Sequence, residues 1–213
     1  GVEGTGDRTV EPFANYAVLS AQQDLNDGNT GISVIGTAVN RSVDEWTEAA
    51  MHDAAYAVGA SFRNRFADGK YELNASLAAS HVTGTPEAIT RTQQSAVHYY
   101  QQPDGDLEVD PNATSLTGTA GQIKFGKYGG GITRFETSLV RQSAGFEVND
   151  LGYLRRADVL DWSTWAALSF RNATRLYNWA QFNGNHWERW NTSGLRLENA
   201  FNVNGHMGFK NQW

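Results

Sequence analysis

Residues 70–80 read KYELNASLAAS. In an extended chain Tyr71, Leu73, Ala75, Leu77 and Ala79 fall on one side, and Glu72, Asn74, Ser76, Ala78 and Ser80 on the other. Side chains of a strand alternate between its two faces, so the segment is a strand with one apolar and one polar face. Two environments satisfy that pattern. Either the apolar row packs against a protein core with water outside, or it meets lipid and the polar row faces a wet interior.

The pattern recurs. In residues 53–63, Ala54, Tyr56, Val58, Ala60 and Phe62 alternate with Asp53, Ala55, Ala57, Gly59, Ser61 and Arg63. In LRLENAFNVNGHMGFKNQW (195–213), Leu195, Leu197, Phe201, Val203, Met207, Phe209 and Trp213 share one parity, and Arg196, Glu198, Asn202, Asn204, His206, Lys210 and Gln212 the other. Weaker versions lie near 13–22, 31–41, 117–127, 131–141, 160–171 and 175–190, separated by DLNDGN, FADGK, KYGGG, NATR and NTSG. The count is about nine or ten strands, many of about 10 residues or more. Soluble strands usually run about 5–6 residues, whereas about 9–11 cross a bilayer at a tilt. Aromatic residues stand near strand ends (Tyr56, Phe66, Tyr71, Phe125, Trp162, Trp187, Trp190, Trp213), as in the interfacial girdles of outer-membrane barrels.

Two segments break the period of two. Thr85, Pro86 and Glu87 suit a cap and first helical turn, and Ile89, Gln93, Ala96, Val97 and Tyr100 follow helical spacing until Pro103. The spacing predicts a short helix over 86–100 inside a long loop. Ser42 and Glu45 are spaced as a capping box for one further turn.

Composition agrees with strands and turns. The 213 residues carry 22 Gly, 4 Pro, 7 Trp and no Cys. That length fits a single domain over 1–213, either a barrel or part of one. A net charge of −6 without a basic run argues against nucleic acid as a partner. Without cysteine there is neither a disulfide framework nor a thiolate metal site. No window reaches the roughly 20 apolar residues of a spanning helix, so a transmembrane reading survives only as a β-barrel.

Chemistry-bearing patterns are sparse. Asp104, Asp106, Glu108 and Asp110 alternate as calcium ligands can, but lack the central Gly and closing Glu of a helix–loop–helix calcium site. His52, His81, His98, His186 and His206 include no pair three or four apart on a helix, so no zinc pair is visible. There is no G-x-S-x-G elbow or phosphate-binding glycine loop. Glu147 with Asp150, or Glu136 with Glu147, are carboxylate pairs of the type glycoside hydrolysis uses, with surface and lining charge as the plainer reading. Thus no catalytic residue, cofactor or metal is expected. In NWAQFNGNHWERWNTSG (178–194), Trp179, Trp187 and Trp190 can stack on sugar rings, with Asn183, Asn185 and His186 as hydrogen-bonding partners; the competing reading is an interfacial belt plus a polar hairpin loop.

The phrases ISVIGTAVNR (32–41), YELNASLAASHVTGT (71–85), AVHYYQQPDGD (96–106), SLTGTAGQIKFGK (115–127) and SAGFEVNDLGYLRRAD (143–158) occur in an order that resembles the C-terminal region of large bacterial envelope proteins of unknown function. In those proteins a carbohydrate-binding family-nine-like sandwich precedes a region of outer-membrane β-barrel character. The resemblance implies a barrel tied to glycan handling and implies no catalytic residue. The sandwich is not in this sequence, which is therefore expected to be a piece of a longer protein, with partner chains or that N-terminal domain outside it.

The expected architecture is an all-β, antiparallel, up-and-down transmembrane β-barrel of about ten strands, closed on itself or part of a larger one, in the bacterial outer membrane. Membrane lipid is its expected partner. Its lumen is expected to be lined by Arg63, Glu72, Asn74, Arg196, Glu198, Asn202, His206 and Lys210. That set is mixed in sign, which suits neutral, carbohydrate-like solutes. A structural or assembly role and a soluble, secreted β-sandwich binding glycans are the alternatives.

Overall fold

The computed structural model describes residues 8–103 and 106–211. Nine strands follow one another in chain order: β1 (Ala14–Leu25), β2 (Thr30–Arg41), β3 (Ala54–Phe66), β4 (Tyr71–Thr83), β5 (Ser115–Lys127), β6 (Thr133–Gln142), β7 (Val159–Phe170), β8 (Tyr177–Trp190) and β9 (Arg196–Phe209). Each pairs antiparallel with its chain neighbours in one open sheet ordered β1 to β9. The strands run from 10 to 14 residues, the length read from the sequence.

Short turns join strands at one end of the sheet, across 26–29, 67–70, 128–132 and 171–176; the other end carries the long connections 42–53, 84–114 and 143–158 together with one short turn, 191–195. The first two turns place Asn26, Asp27, Gly28 and Ala67, Asp68, Gly69 at positive φ. An Asp–Gly pair fits such a turn because its twist matches that of the flanking strands.

Register sorts the side chains. Across β3 and β4, Asn74 faces Arg63 and Leu73 faces Asn64; across β4 and β5, Asn74 faces Lys124 and Leu73 faces Phe125. Followed over all nine strands, the parity of Leu73 collects Leu19, Ile32, Val58, Leu77, Ile123, Leu139, Leu168, Phe182, Phe201 and Val203 on one face. All ten are exposed, Leu77 at 72% and Val203 at 78%. The other face carries Ser33, Arg63, Glu72, Gln122, Ser138, Asp161, Asn185 and Asn202. Among the described residues it is this polar face, not the apolar one, that the rest of the chain covers.

The cover consists of α1 (Pro86–Gln94) and the 143–158 segment. Thr85 caps α1 by accepting from Ala88 N–H, with Pro86 in the first turn. The helix is shorter than its spacing predicts. It stops at Ser95, which is extended, and the next residues turn inward so that His98 is buried. At 42–51 there is a turn in place of a helix, held by Asp44, whose carboxylate accepts from Trp46 N–H and Thr47 Oγ1. Ile89 packs on Val39, Ala55, Val82 and Leu116, all from the polar-face parity near the long-loop end. Phe146, Leu154 and Ala157 form a second cluster, seated on Ala78 and Ala120 halfway along β4 and β5.

The second cluster requires glycine. A Cβ on Gly118 would lie 2.1 Å from the Phe146 nitrogen, and one on Gly145 would lie 2.5 Å from the Thr117 oxygen. The two backbones therefore touch. Gly118→Ala should lift the 143–158 segment at an overpacking cost of about 1–3 kcal/mol, which amounts to about fivefold to 150-fold more opening. Tryptic cleavage after Arg155 and Arg156 should accelerate by that factor, and unchanged cleavage would show that the contact is not tight.

Candidate functional site

The polar face of β7, β8 and β9 forms a lane of cross-strand rows. From the long-loop end these are Asp161–Arg189–Glu198, Ser163–Trp187–Ala200, Trp165–Asn185–Asn202, Ala167–Asn183–Asn204 and Ser169–Gln181–His206. Alternation along each strand and direct pairing across strands make the rows, because facing residues share a side. Arg189 anchors the first row. It donates through Nε and Nη2 to both oxygens of Asp161 at 2.6 and 3.2 Å, and through Nη1 to Glu198 at 2.9 Å. Glu198 also accepts from Trp187 Nε1 at 2.7 Å. Further along, Trp165 Nε1 and Gln181 Nε2 donate to Asn183 Oδ1, Asn183 Nδ2 to Asn204 Oδ1, and Asn185 Nδ2 to Asn202 Oδ1. Both indole N–H groups are thus fixed at their edges, and the amides keep a hydrogen or lone pair for a ligand.

The lane opens under the 143–158 segment into a cavity of 680 Å³ that includes Asp161 and Arg189 in its floor and Tyr99, Gln102, Tyr153, Arg155 and Arg156 around it. A cleft of this size is typical for a small ligand. Its roof is held by two histidine–carboxylate pairs. His98 is fully enclosed, with Nδ1 2.7 Å from the Ala144 carbonyl and Nε2 2.7 Å from Glu147 Oε2. Both of its partners, a carbonyl and a carboxylate, are acceptors. His52 sets Nδ1 2.8 Å from Asp150 Oδ2 and Nε2 2.8 Å from Thr92 Oγ1, while Arg41 donates to Asp150 Oδ1 at 2.5 Å.

Burial opposes the Glu147 carboxylate, but the bonds from His98 and Asn149 N–H and the nearby imidazole charge outweigh it and hold its carboxyl below its ordinary value. For Asp150 burial is likewise overcome, here by the bond and charge of His52 and the Arg41 guanidinium. The Thr92–His52–Asp150 line has the outline of a nucleophile triad. It differs in chemistry: Thr92 Oγ1 donates to the Ala88 carbonyl of its own helix, which leaves no proton for His52 to take, and Arg41 shares the carboxylate. A glycosidase acid needs a raised pKa, and both carboxylates are shifted the other way. Glu136, the other carboxylate of the sequence pairs, accepts from Tyr128 Oη at 2.6 Å.

Of the sugar-stacking candidates, Asn183, Asn185 and Trp187 share the lane, and Trp179 lies on the same face over Gly208. His186 and Trp190 project from the opposite, apolar face, with His186 against Trp162 at 5.3 Å, so the six do not converge. Of the lining candidates, Arg63, Glu72, Asn74, Glu198, Asn202 and His206 share the polar face. Arg196 sits at the irregular start of β9, opposite Trp190, and Lys210 in the turn after it. Sequence reasoning passed over Trp165 and Gln181, and placed Asn204 on the polar parity without naming it as a lining residue. Trp165 is legible in retrospect, since WSTW sets Trp162 and Trp165 on opposite parities. Within the acidic loop, Asp104 lies outside the described residues, and the Asp110 backbone is paired with Gln93. Among the described residues no group of three His, Cys, Asp or Glu side chains is arranged to hold a metal ion.

Residues 3–213 match the family described as a domain of unknown function (DUF5916), and the chain belongs to that family. No curated protein and no solved structure gives a match.

The roof should respond to acid with a definite sign. Both carboxyl values lie lower folded than unfolded, so their stabilisation is complete above the ordinary carboxylate range and lost as pH falls through the lowered values. Tryptic protection at Arg155 and Arg156, probed by brief acid pulses, should hold from neutral pH to about 5 and fall below about 4. His98→Ala, which leaves Glu147 buried without its partner, should cost about 3–5 kcal/mol in urea unfolding at neutral pH.

Proposed function

We propose that this chain forms wall of an outer-membrane β-barrel, with its apolar face on lipid and its polar face on a wet interior that passes or binds neutral, carbohydrate-like solutes. The supporting observation is the inversion of the two faces. Large apolar side chains crowd the bare face, and α1 and the 143–158 segment cover the polar one. A water-soluble sheet buries its apolar face, so the opposite arrangement fits lipid as the missing neighbour.

Other features agree with this reading. Short turns at one end and, apart from 191–195, long loops at the other follow the pattern of bacterial barrels. On the apolar face Phe66, Tyr71 and Phe125 stack at the short-turn end with centroids 5.6 to 6.3 Å apart. Tyr56, Trp162 and Trp190 occupy the other end of that face. Tyr56 and Phe66 bracket β3, about ten residues apart, or about 34 Å along the strand and about 24 Å along the membrane normal at a tilt of about 45°. That height matches the apolar band of about 25 Å in such barrels. The lane supplies what an uncharged polyhydroxylated solute needs, with indoles for ring faces and amides for hydroxyls. The rival sandwich requires a second sheet over Leu19, Leu77 and Phe201, and the described strands all lie in one sheet.

The cysteine-free sequence permits a direct test. Fluorophores on single cysteines at Val58, Leu77 and Phe201 should be quenched by nitroxide lipids after reconstitution. Cysteines at Ser76 and Asn202 should escape quenching and react with a membrane-impermeant maleimide. Equal water access at all five positions, without detergent, would overturn the reading. Leu77→Arg should destabilise the bilayer form by about 2–4 kcal/mol, as a cation at the lipid midplane does, and Ser76→Arg far less. Trp165→Ala and Trp187→Ala should each weaken maltohexaose or cello-oligosaccharide binding by about 0.5–1.5 kcal/mol, or about 2–12-fold.

A further inference from the structure

Among the described residues, nothing pairs with either edge of the sheet. β1 and β9, of 12 and 14 residues, each have one neighbour and are not paired with each other. An edge strand leaves alternate backbone N–H and C=O groups unpaired. In hydrocarbon every such group costs several kcal/mol, so an open edge does not persist there. Something must cover both edges if the sheet is barrel wall, and strand direction restricts what it is.

Successive strands alternate in direction, and nine is an odd number, so β1 and β9 run the same way, from the long-loop end to the short-turn end. Joining them directly would make a single parallel seam in an otherwise antiparallel sheet. A second copy does not remove the difficulty. Rotated about the barrel axis, it sets β9 of one protomer parallel to β1 of the other at both joints. Flipped, it makes antiparallel joints but sends the long loops of the two copies to opposite sides of the membrane.

Width supplies an independent argument. A barrel of about eight strands is filled by its own inward side chains. Here the polar face also carries α1, and a helix with side chains is about 10–12 Å across. Beside it the 143–158 segment reaches Ala78 and Ala120 at mid-height, and the 680 Å³ cavity lies next to that. Nine strands closed on themselves do not enclose that much.

We propose that the sheet is one wall of a wider barrel, closed by an odd number of further antiparallel strands that pair with the free edges of β1 and β9. The covering strands carry the same alternation, apolar outward and polar inward, over about 10 residues or more. This rests on the barrel reading above, and the two fail separately. Loss of lipid quenching at Val58, Leu77 and Phe201 removes both, whereas a β1–β9 seam with quenching intact removes only this one.

The test uses the whole polypeptide in its native membrane. Cysteines are introduced in pairs, Ala17 or Ala21 on β1 with Asn199 or Val203 on β9, and Val203 is also replaced alone. After oxidation the expected result is no disulfide within the chain and none between two copies. Hydrogen exchange should show the outward amides of β1 and β9 as protected as those of β4 and β5. A β1–β9 disulfide, a Val203–Val203 dimer, or fast exchange along either edge would each overturn the proposal.

Discussion

The inter-strand hydrogen-bond ladder on which this molecule depends has an unbroken register from β1 through β7. Facing residues share a side, so one parity choice, made at Leu73 against Asn74, propagates across the sheet and separates apolar from polar side chains. A slip of one residue in any pair would place a row of leucines among amides. Only at the ends of β8 does the register shift, between Tyr177 and Trp179 and between Arg189 and Trp190. The ladder is thus what makes two chemically opposite surfaces from a chain with little contiguous hydrophobic sequence.

The polar surface is built up in layers. Close to the strands, Arg65 and Asn74 donate to Glu72 and Lys124 pairs with Glu136 at the short-turn end, while the amides and indoles of the lane on β7–β9 bond one another laterally. Above them α1 and the 143–158 segment bury small apolar clusters and pin themselves through His98–Glu147 and His52–Asp150–Arg41. Buried charges this well matched are costly to separate, and they specify one seating for a segment with little regular structure. Asp158 adds a third tie, accepting from Gln102 and from Thr192 and so joining the roof to the loop before β9. The proposed interior and its lane follow from this arrangement: a conduit needs polar walls, and a selective one needs part of its section occupied.

Strand existence, number and order were legible because each strand is long and alternates, and because Asp–Gly and glycine-rich turns mark the breaks. The helix was legible at its start, where Thr85, Pro86 and Glu87 act locally, and misread at its end. Spacing suggested continuation to Tyr100, but the chain leaves the helix at Ser95 and His98 is buried against Glu147, 49 residues away. Two of the six sugar-stacking candidates stand apart from the rest for a related reason. Nearness in NWAQFNGNHWERWNTSG suggested a common site, yet in a strand adjacent residues point apart, so His186 and Trp190 stand opposite Asn185 and Trp187.

What the sequence determined by itself is therefore the local part: extended segments, their turns, and the two parities of each. Those properties depend on neighbours a few residues away. What only the tertiary structure decided is which parity is covered and by what. Glu147 meets His98, Asp150 meets His52 and Arg41, and Gly118 meets Phe146 across connections whose path no local preference encodes. The polar face became the covered one because buried ion pairs and a backbone contact permitted only by glycine seat the long loops there, and pairings of that kind exist only once distant segments are brought together.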